Sequence, residues 1–382
     1  MKPVYFDYNA TTPLDPLVRE AMRPYLDGIF GNPSSVHRIG RQARSLLDDA
    51  RDRAARVLGA KPSEVVFTSG GTESNNLAIF GTARFRKPKG RHLITTMIEH
   101  HAALHCFNYL EAKEGFEVTR LPVGRDGRVT VESLRKALRE DTILVSVMAA
   151  NNEIGTVQPV AELGALCRER GVIFHTDAVQ WFGKEPFQSV AQFNADLVSI
   201  CAHKFHGPKG AGALYIRSPL QPDPILFGGG HEHERRAGTE NLLAIVGLVA
   251  AMERFVRTPV FQTEHLAPLT TRMADFVGRL PGVELASPVT GRLANTVAFV
   301  VERSDSIALM AGLDLVGICA SSGSACSAGS LEPSHVILAL GFTPRLANAL
   351  VRFSLGRDST LAEVERMEEL LPQVLKRVQT GQ

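Results

Sequence analysis

No stretch of this sequence is long and apolar enough to read as a membrane span. The longest helix-like apolar run, 242–252, falls well short of the roughly 18 residues that a bilayer crossing requires, and it fits a buried helix better. Charge of one sign is lacking as well: 42 basic residues stand against 40 acidic ones, spread along the chain, for a formal net charge of +2. Such a balance gives no field to gather nucleic acid or an anionic membrane, so neither is expected as a partner. Cysteine is sparse. Cys106, Cys167, Cys201, Cys319 and Cys326 are scattered without a CxxC pair, which excludes a disulfide framework and a zinc ribbon and reads as reduced thiols of the cytoplasm. Four of them are expected simply to fill space. The opening MKPVYFDYNATTP has no apolar core of the kind a secretory signal needs, so no export is expected. Metal-ligand spacing is also missing: His231, Glu232, His233 and Glu234 alternate instead of placing histidines at i and i+4, and no metal site is expected.

What the chain does have is length and rhythm. Its 382 residues exceed what one core usually organises, since single cores stop growing at about 250 to 300 residues. From Glu64 onward seven β-branched, strand-like runs follow one another: EVVFT, HLITTM, FEVTRL, TILVSVM, GVIFHT, DLVSI and GALYI. Helical patterns at 73–81, 101–112, 131–139 and 159–170 supply the crossovers that parallel strands need. The predicted fold class is therefore α/β, with a large domain built on a mostly parallel, helix-covered sheet of seven strands. A polar interruption with Thr258 and Pro259 follows a helix over 242–256, and new elements begin near His265. Too few strand-like runs remain after it (NTVAFVV, VGICA, ALVRFSLG) for a second large sheet. This predicts a large domain over 15–257 and a small α+β domain from 1–14 and 258–382.

The run EVVFTSGG passes directly into the helical TESNNLAIF, which puts Gly70, Gly71 and Thr72 where backbone N–H groups and a helix dipole converge. Its spacing matches neither the P-loop nor the dinucleotide fingerprint, so a different phosphate-bearing group is needed. Taken alone, such a glycine pair is as often a plain tight turn. HTDAVQ and CAHKFHGPKG likewise follow strands, which brings Asp177, Gln180, His203 and Lys204 to strand C-termini, where open α/β sheets bind ligands. An aspartate there can keep a pyridine nitrogen protonated and a lysine can form a Schiff base, the two demands of pyridoxal 5'-phosphate (PLP) chemistry. Singly, each has a bland reading as helix cap or solvated charge; the combination carries the weight.

In these and further segments the sequence resembles the group I cysteine desulfurases of the class V, aminotransferase-like PLP enzymes of fold type I. YFDYNATTP, GNPSSVH, FTSGGTESNN, EHHA, NNEIG, HTDAVQ, AHKFHGPKG, GGGHEHERRAGTEN, SSGSACSAGSLEPS and VRFSLGR occur in the family's order across nearly the whole chain. The resemblance implies that Lys204 holds the cofactor, that Asp177 pairs with the pyridine nitrogen, that His100 stacks on the ring and that Asn152 and Gln180 contact its side. It further implies that Gly71, Thr72 and His203 hold the phosphate, with Thr239 reaching in from the second subunit of a homodimer. Cys201 stands where the family usually has a serine that donates to the phosphate, and a thiol is a weaker donor. Arg352, assisted by Asn32, would clamp the carboxylate of L-cysteine, an anion that suits the planar guanidinium fork.

SSGSACSAG surrounds Cys326 with small residues, the composition of an exposed loop rather than of a buried thiol. By the resemblance Cys326 is the nucleophile that takes the substrate's sulfur as a persulfide, leaving L-alanine, while Lys204 moves the Cα proton and His100 shuttles another. The sulfur would pass to an iron–sulfur scaffold or another acceptor protein. With LKRVQTGQ as the end of the sequence, docking through a longer C-terminal tail is not expected, which favours the nitrogenase-type branch. Three alternatives stand beside this reading. Selenocysteine lyase activity uses the same residues, a class V aminotransferase has no use for the thiol, and a non-catalytic scaffold-binding platform has no need of Lys204, Asp177 and Cys326 together.

Overall fold

A computed structural model describes residues 3–323 and 332–380. Strand β1 (Val4–Tyr5) precedes a central sheet made of β2 (Val65–Thr68), β3 (His92–Thr96), β4 (Glu117–Leu121), β5 (Thr142–Ser146), β6 (Ile173–Asp177), β7 (Leu197–Cys201) and β8 (Gly212–Ile216). Their order across the sheet is β2-β8-β7-β6-β5-β3-β4. All run parallel except β8, which is antiparallel to both β2 and β7. The seven predicted strands are thus present, in the mixed but mostly parallel arrangement expected. Strands β2, β3, β5, β7 and β8 are buried along their whole length, which is why they read as continuous apolar runs and not as alternating ones.

Two buried histidines stitch this sheet from within. His175 on β6 lies between Ser146 Oγ of β5, 2.8 Å away, and Ser199 Oγ of β7, 3.0 Å away. His92 on β3 lies between Thr142 Oγ1 of β5 at 2.7 Å and Thr119 Oγ1 of β4 at 2.8 Å. Each ring is satisfied as a neutral imidazole. Burial pulls the His175 pKa down to about 3 and lowers that of His92.

The helix Leu242–Phe255 is buried nearly all round and packs against the helices Arg38–Leu58 and Pro16–Met22. This accounts for the apolar run read from the sequence, and no helix among the described residues is long and apolar enough to cross a membrane. The helix Arg38–Leu58 stands outside the rhythm that begins at residue 64. Its buried positions Gly40, Ala43, Leu47, Ala50, Ala54 and Leu58 recur every three or four residues, and it stops at Gly59 with φ of 66°.

Beyond it a three-stranded antiparallel sheet forms, in the order β12-β10-β9, from β9 (Val283–Leu285), β10 (Thr296–Val301) and β12 (Leu350–Ser354). The helix Thr263–Val277 packs on β9 and β10 and against the helix Leu361–Thr380. The remaining strand, β11 (Ile318–Cys319), pairs in parallel with β1, and Asp7 bridges to Ser354, so the N-terminal segment joins these late elements. Residues 9–12 then run over the central sheet. Asn9 N donates to Ser354 Oγ at 2.9 Å, and Thr12 N and Oγ1 donate to His203 O at 3.0 and 2.9 Å.

Candidate active site

A cavity of about 210 Å³ opens where the C-terminal ends of β5, β6 and β7 meet the N-terminal segment and β12. The strand termini place its chemistry: Asp177 is the last residue of β6, Cys201 the last of β7, and Lys204 follows in the short 3-10 turn Ala202–Lys204. His100 caps the helix His101–Glu114, Asn152 lies beyond β5, and Arg352 comes from β12.

Facing β7 is the helix start at Gly71. Gly70 has φ of 154°, and a Cβ on Gly71 would lie 2.8 Å from Val179 Cγ2. A side chain there would crowd Val179, and Gly71 and Thr72, the first residues of the helix Gly71–Asn76, line the cavity. A π-helical turn, Leu77–Gly81, continues it into Thr82–Arg86.

Asp177 is 5% exposed, and both its oxygens are engaged: Oδ1 accepts from Val179 N at 3.0 Å and Oδ2 from Asn75 Nδ2 at 2.6 Å. Burial raises its pKa, while those two donors and Lys204 work to lower it. Lys204 Nζ donates to Asn9 O at 2.7 Å and Ala10 O at 2.8 Å. Burial lowers its pKa, and the Arg352 cation adds to the shift.

His100 Nδ1 accepts from Ala102 N at 3.1 Å, so a neutral His100 carries its proton on Nε2. Burial first, and then Lys204 and the neighbouring imidazoles, hold its pKa to about 4. His203 is held to about 4 for the same leading reason, with Nδ1 3.1 Å from Thr11 Oγ1. The Cys201 thiol is raised by burial and eased downward by the Gly71 and His203 N–H groups and Lys204. Cys106 and Cys167, outside the cavity, are pushed up to about 12 by burial, the signature of inert packed thiols.

Arg352 is 1% exposed. Its Nη2 donates to Asp7 Oδ1 at 2.7 Å and its Nη1 to Asn152 O at 2.8 Å and Gly323 O at 2.7 Å, while Nε has no acceptor.

Gly71, Thr72, His100, Asn152, Asp177, Gln180, Cys201, His203, Lys204 and Arg352, all named from the sequence, line this one cavity. Asn32 and Thr239 do not. Asn32 sits in an exposed turn with Oδ1 accepting from Ser34 N at 2.8 Å, and Thr239 is exposed beside a second depression bounded by Glu232, Arg236 and Asn241. Cys326 lies outside the described residues. Glu232, from the alternating His/Glu motif, is buried on Arg51, which donates to both its oxygens.

Sequence reasoning missed Asn9, Asn75 and Lys184. The first two belong to motifs that had been singled out, YFDYNATTP and FTSGGTESNN, without a role for those positions. Lys184 gave no signal except its place four residues after Gln180.

The donor set suits PLP: a buried carboxylate at one side, an amine whose proton is weakly held, and backbone N–H groups at a helix start. The comparisons with known proteins agree. The profile of the aminotransferase class-V family matches residues 4–367. The chain belongs to the class V aminotransferases. Within that family of PLP-dependent enzymes it lies among cysteine desulfurases. It is 45% identical over 378 residues to the cysteine desulfurase IscS of Dictyoglomus turgidum, covering 99% of this chain and 95% of that one. To the cysteine desulfurase IscS of Methanosarcina thermophila it is 46% identical, covering 99% and 93%.

Solved structures bear the same likeness. A NifS-like protein superposes with a TM-score of 0.90 at 37% identity, covering 98% of this chain and 100% of that one. SspA in complex with cysteine superposes with a TM-score of 0.82 at 36% identity, covering 94% and 100%.

Proposed function

We propose that this chain is a PLP-dependent cysteine desulfurase that converts L-cysteine to L-alanine, passes the sulfur to Cys326 as a persulfide and supplies it for iron–sulfur cluster assembly. The observation that carries the reading is the convergence of Lys204, Asp177 and Arg352 on one cavity, in a chain 45% identical along its length to named cysteine desulfurases.

PLP, when bound, supplies the electron sink that makes the Cα proton of an amino acid acidic. Lys204 would hold the cofactor and would move that proton; a weakly held proton on Nζ suits both tasks. Asp177 keeps the pyridine nitrogen protonated, fixed by Asn75 and Val179. Gly71, Thr72, Cys201 and His203 hold the phosphate, and Asn152 and Gln180 flank the ring. His100 would stack on the ring and, with Nδ1 accepting from Ala102 N, would present an Nε2–H donor there.

Arg352 holds the substrate carboxylate, which must share the guanidinium with Asp7, and Nε is a donor without an acceptor. In the sulfur transfer the Cys326 thiolate attacks the substrate sulfur. An S–S bond forms, the Cβ–S bond breaks with its electron pair going to carbon, and the carbon takes up a proton to become the methyl of alanine. The enzyme thiol is thereby oxidised to a persulfide and the substrate carbon reduced.

The division into a large domain over 15–257 and a small one from 1–14 and 258–382 is part of the same reading, supported by the packing of the helix Thr263–Val277 on β9 and β10. So is a homodimer in which Thr239 reaches the partner's phosphate site. Phe30 and Phe227, 81% and 84% exposed, are apolar surface of the kind a partner covers. Work in the cytoplasm is supported by cysteines that stay free among the described residues.

The test is alanine and sulfide release from L-cysteine by the purified protein and by Cys326→Ala, with the visible absorbance of the cofactor recorded before and after substrate. A yellow protein whose turnover falls to background in the variant, while substrate still shifts the spectrum of both, is the expected outcome. Equal alanine release by the two would overturn the role of Cys326, and a colourless protein would overturn the reading as a whole.

A further inference from the structure

Glu73 and Arg236 form an ion pair that no role given above uses, and neither side chain lines the cavity. Glu73 is the third residue of the helix Gly71–Asn76 and directly follows Thr72, which does line it. Its Oε2 accepts from Ser69 N at 2.9 Å, so the carboxylate reaches back past Gly70, Gly71 and Thr72 and closes the turn on which they sit. Arg236 arrives from a segment more than 160 positions away in the chain: its Nε donates to Glu73 Oε1 at 2.7 Å and its Nη2 to Glu73 Oε2 at 3.2 Å. The Glu73 side chain is 11% exposed and that of Arg236 19%, so water screens the pair only in part.

Two guanidinium nitrogens on one carboxylate make a strong and well-oriented pair. Burial works against the Glu73 charge, but the hydrogen bonds from Arg236 and Ser69 outweigh it and hold the carboxyl below its usual pKa. Glu73 in turn, joined by Glu232 and Glu240, holds the Arg236 pKa above its usual value. Both members are therefore charged, and together they are neutral. Glu73 stands one residue from Thr72, where an unpaired carboxylate would repel a phosphate held at Gly71 and Thr72. Among the described residues no other ion pair reaches Glu73, so the compensation falls to Arg236.

We propose that Glu73 and Arg236 are positioning residues for the cofactor phosphate: Glu73 braces the turn through Ser69 N, and Arg236 cancels the carboxylate so that the brace does not repel the anion it serves. This rests on the reading of Gly71 and Thr72 as holders of the phosphate. The two roles separate in a way that a merely structural pair would not show. Removing Arg236 alone leaves an uncompensated carboxylate near the phosphate. Changing Glu73 to Gln at the same time takes that charge away and keeps an amide oxygen for Ser69 N.

The test is absorbance titration of the apoprotein with PLP and with pyridoxal, which carries the same aldehyde but no phosphate, with the melting temperature of each variant recorded. Arg236→Met and Arg236→Gln are each expected to weaken PLP binding by roughly tenfold and to leave pyridoxal within about twofold of the wild type. Arg236→Met combined with Glu73→Gln is expected to bring PLP back to within about threefold. A folded single variant with wild-type affinity for PLP overturns the proposal, as does an equal loss for pyridoxal, or a double variant as weak as the single one. If neither single variant folds, the pair serves the fold and not the phosphate, and the proposal is equally overturned. A wild type that binds neither PLP nor pyridoxal would instead overturn the functional reading on which it rests.

Discussion

Asp177 shows how much a single carboxylate in this cavity depends on its neighbours. Burial alone would favour the protonated acid, which cannot stabilise a cationic pyridine nitrogen. What opposes burial is Val179 N, fixed by the backbone, and Asn75 Nδ2, which a substitution can remove. Hydrogen bonds to charged groups are worth about 1.5–3 kcal/mol, so Asn75→Leu is expected to weaken cofactor binding by roughly ten- to hundred-fold. Absorbance titration of the apoprotein with PLP measures this, and unchanged affinity would mean that Val179 suffices. Asn75 Oδ1 is buried without a partner, so the residue is held in place for its donor end alone. From the sequence Asn75 is only the fifth residue of a glycine-led helix start, among polar neighbours.

In the central sheet the informative positions are those where a polar side chain takes the place of an aliphatic one. His175 spans β5, β6 and β7 through two serine hydroxyls, so a cross-link lies directly beneath the strand end that presents Asp177. Replacing His175 with Phe would leave both hydroxyls buried without partners. At about 1–3 kcal/mol for each such group, unfolding free energy is expected to fall by roughly 2–6 kcal/mol, read from urea denaturation. A loss below about 1 kcal/mol would show that the serines find other partners. From the sequence, HTDAVQ reads as a strand end and a candidate site. That its histidine serves the sheet and its aspartate the cavity follows from register: the two residues share a face two positions apart, but only Asp177 reaches the end of the strand.

For the molecule as a whole, buried titratable groups set a definite response to pH. Burial holds His100, His203 and His206 to about 4 and His175 to about 3, below the usual 6.5. The unfolded chain therefore binds protons that the folded one refuses, and the stability these groups contribute, full above 6.5, is lost as pH falls through that window. Glu99 and Glu185 run the other way. Burial raises them to about 8 and 7, so they keep protons that the unfolded chain releases above 4.5, and their contribution is lost as pH rises. Between 4.5 and 6.5 these four histidines outnumber the two glutamates, so stability rises with pH. The urea midpoint of the apoprotein is thus expected to rise from pH 4.5 to 6.5, and a midpoint that is flat or falls across that window would contradict this balance.

The sequence by itself determined the α/β class, the seven strands and six of the residues that line the cavity, Gly71, Thr72, Asp177, Gln180, His203 and Lys204, because parallel strands buried on both faces must be apolar runs and their chemistry must sit at their ends; the family resemblance added His100, Asn152, Cys201 and Arg352. Ordered motifs then narrowed the chemistry to one family. Tertiary structure alone decided the rest. That β8 runs against its neighbours depends on the return from β7 over 202–211, which no periodicity encodes. Asn9, 195 positions from the lysine whose Nζ it receives, enters the cavity only because the N-terminal segment pairs with the last elements and then crosses the central sheet. That Lys184 is buried was decided there too, since burial is a property of the folded chain that composition and spacing do not carry.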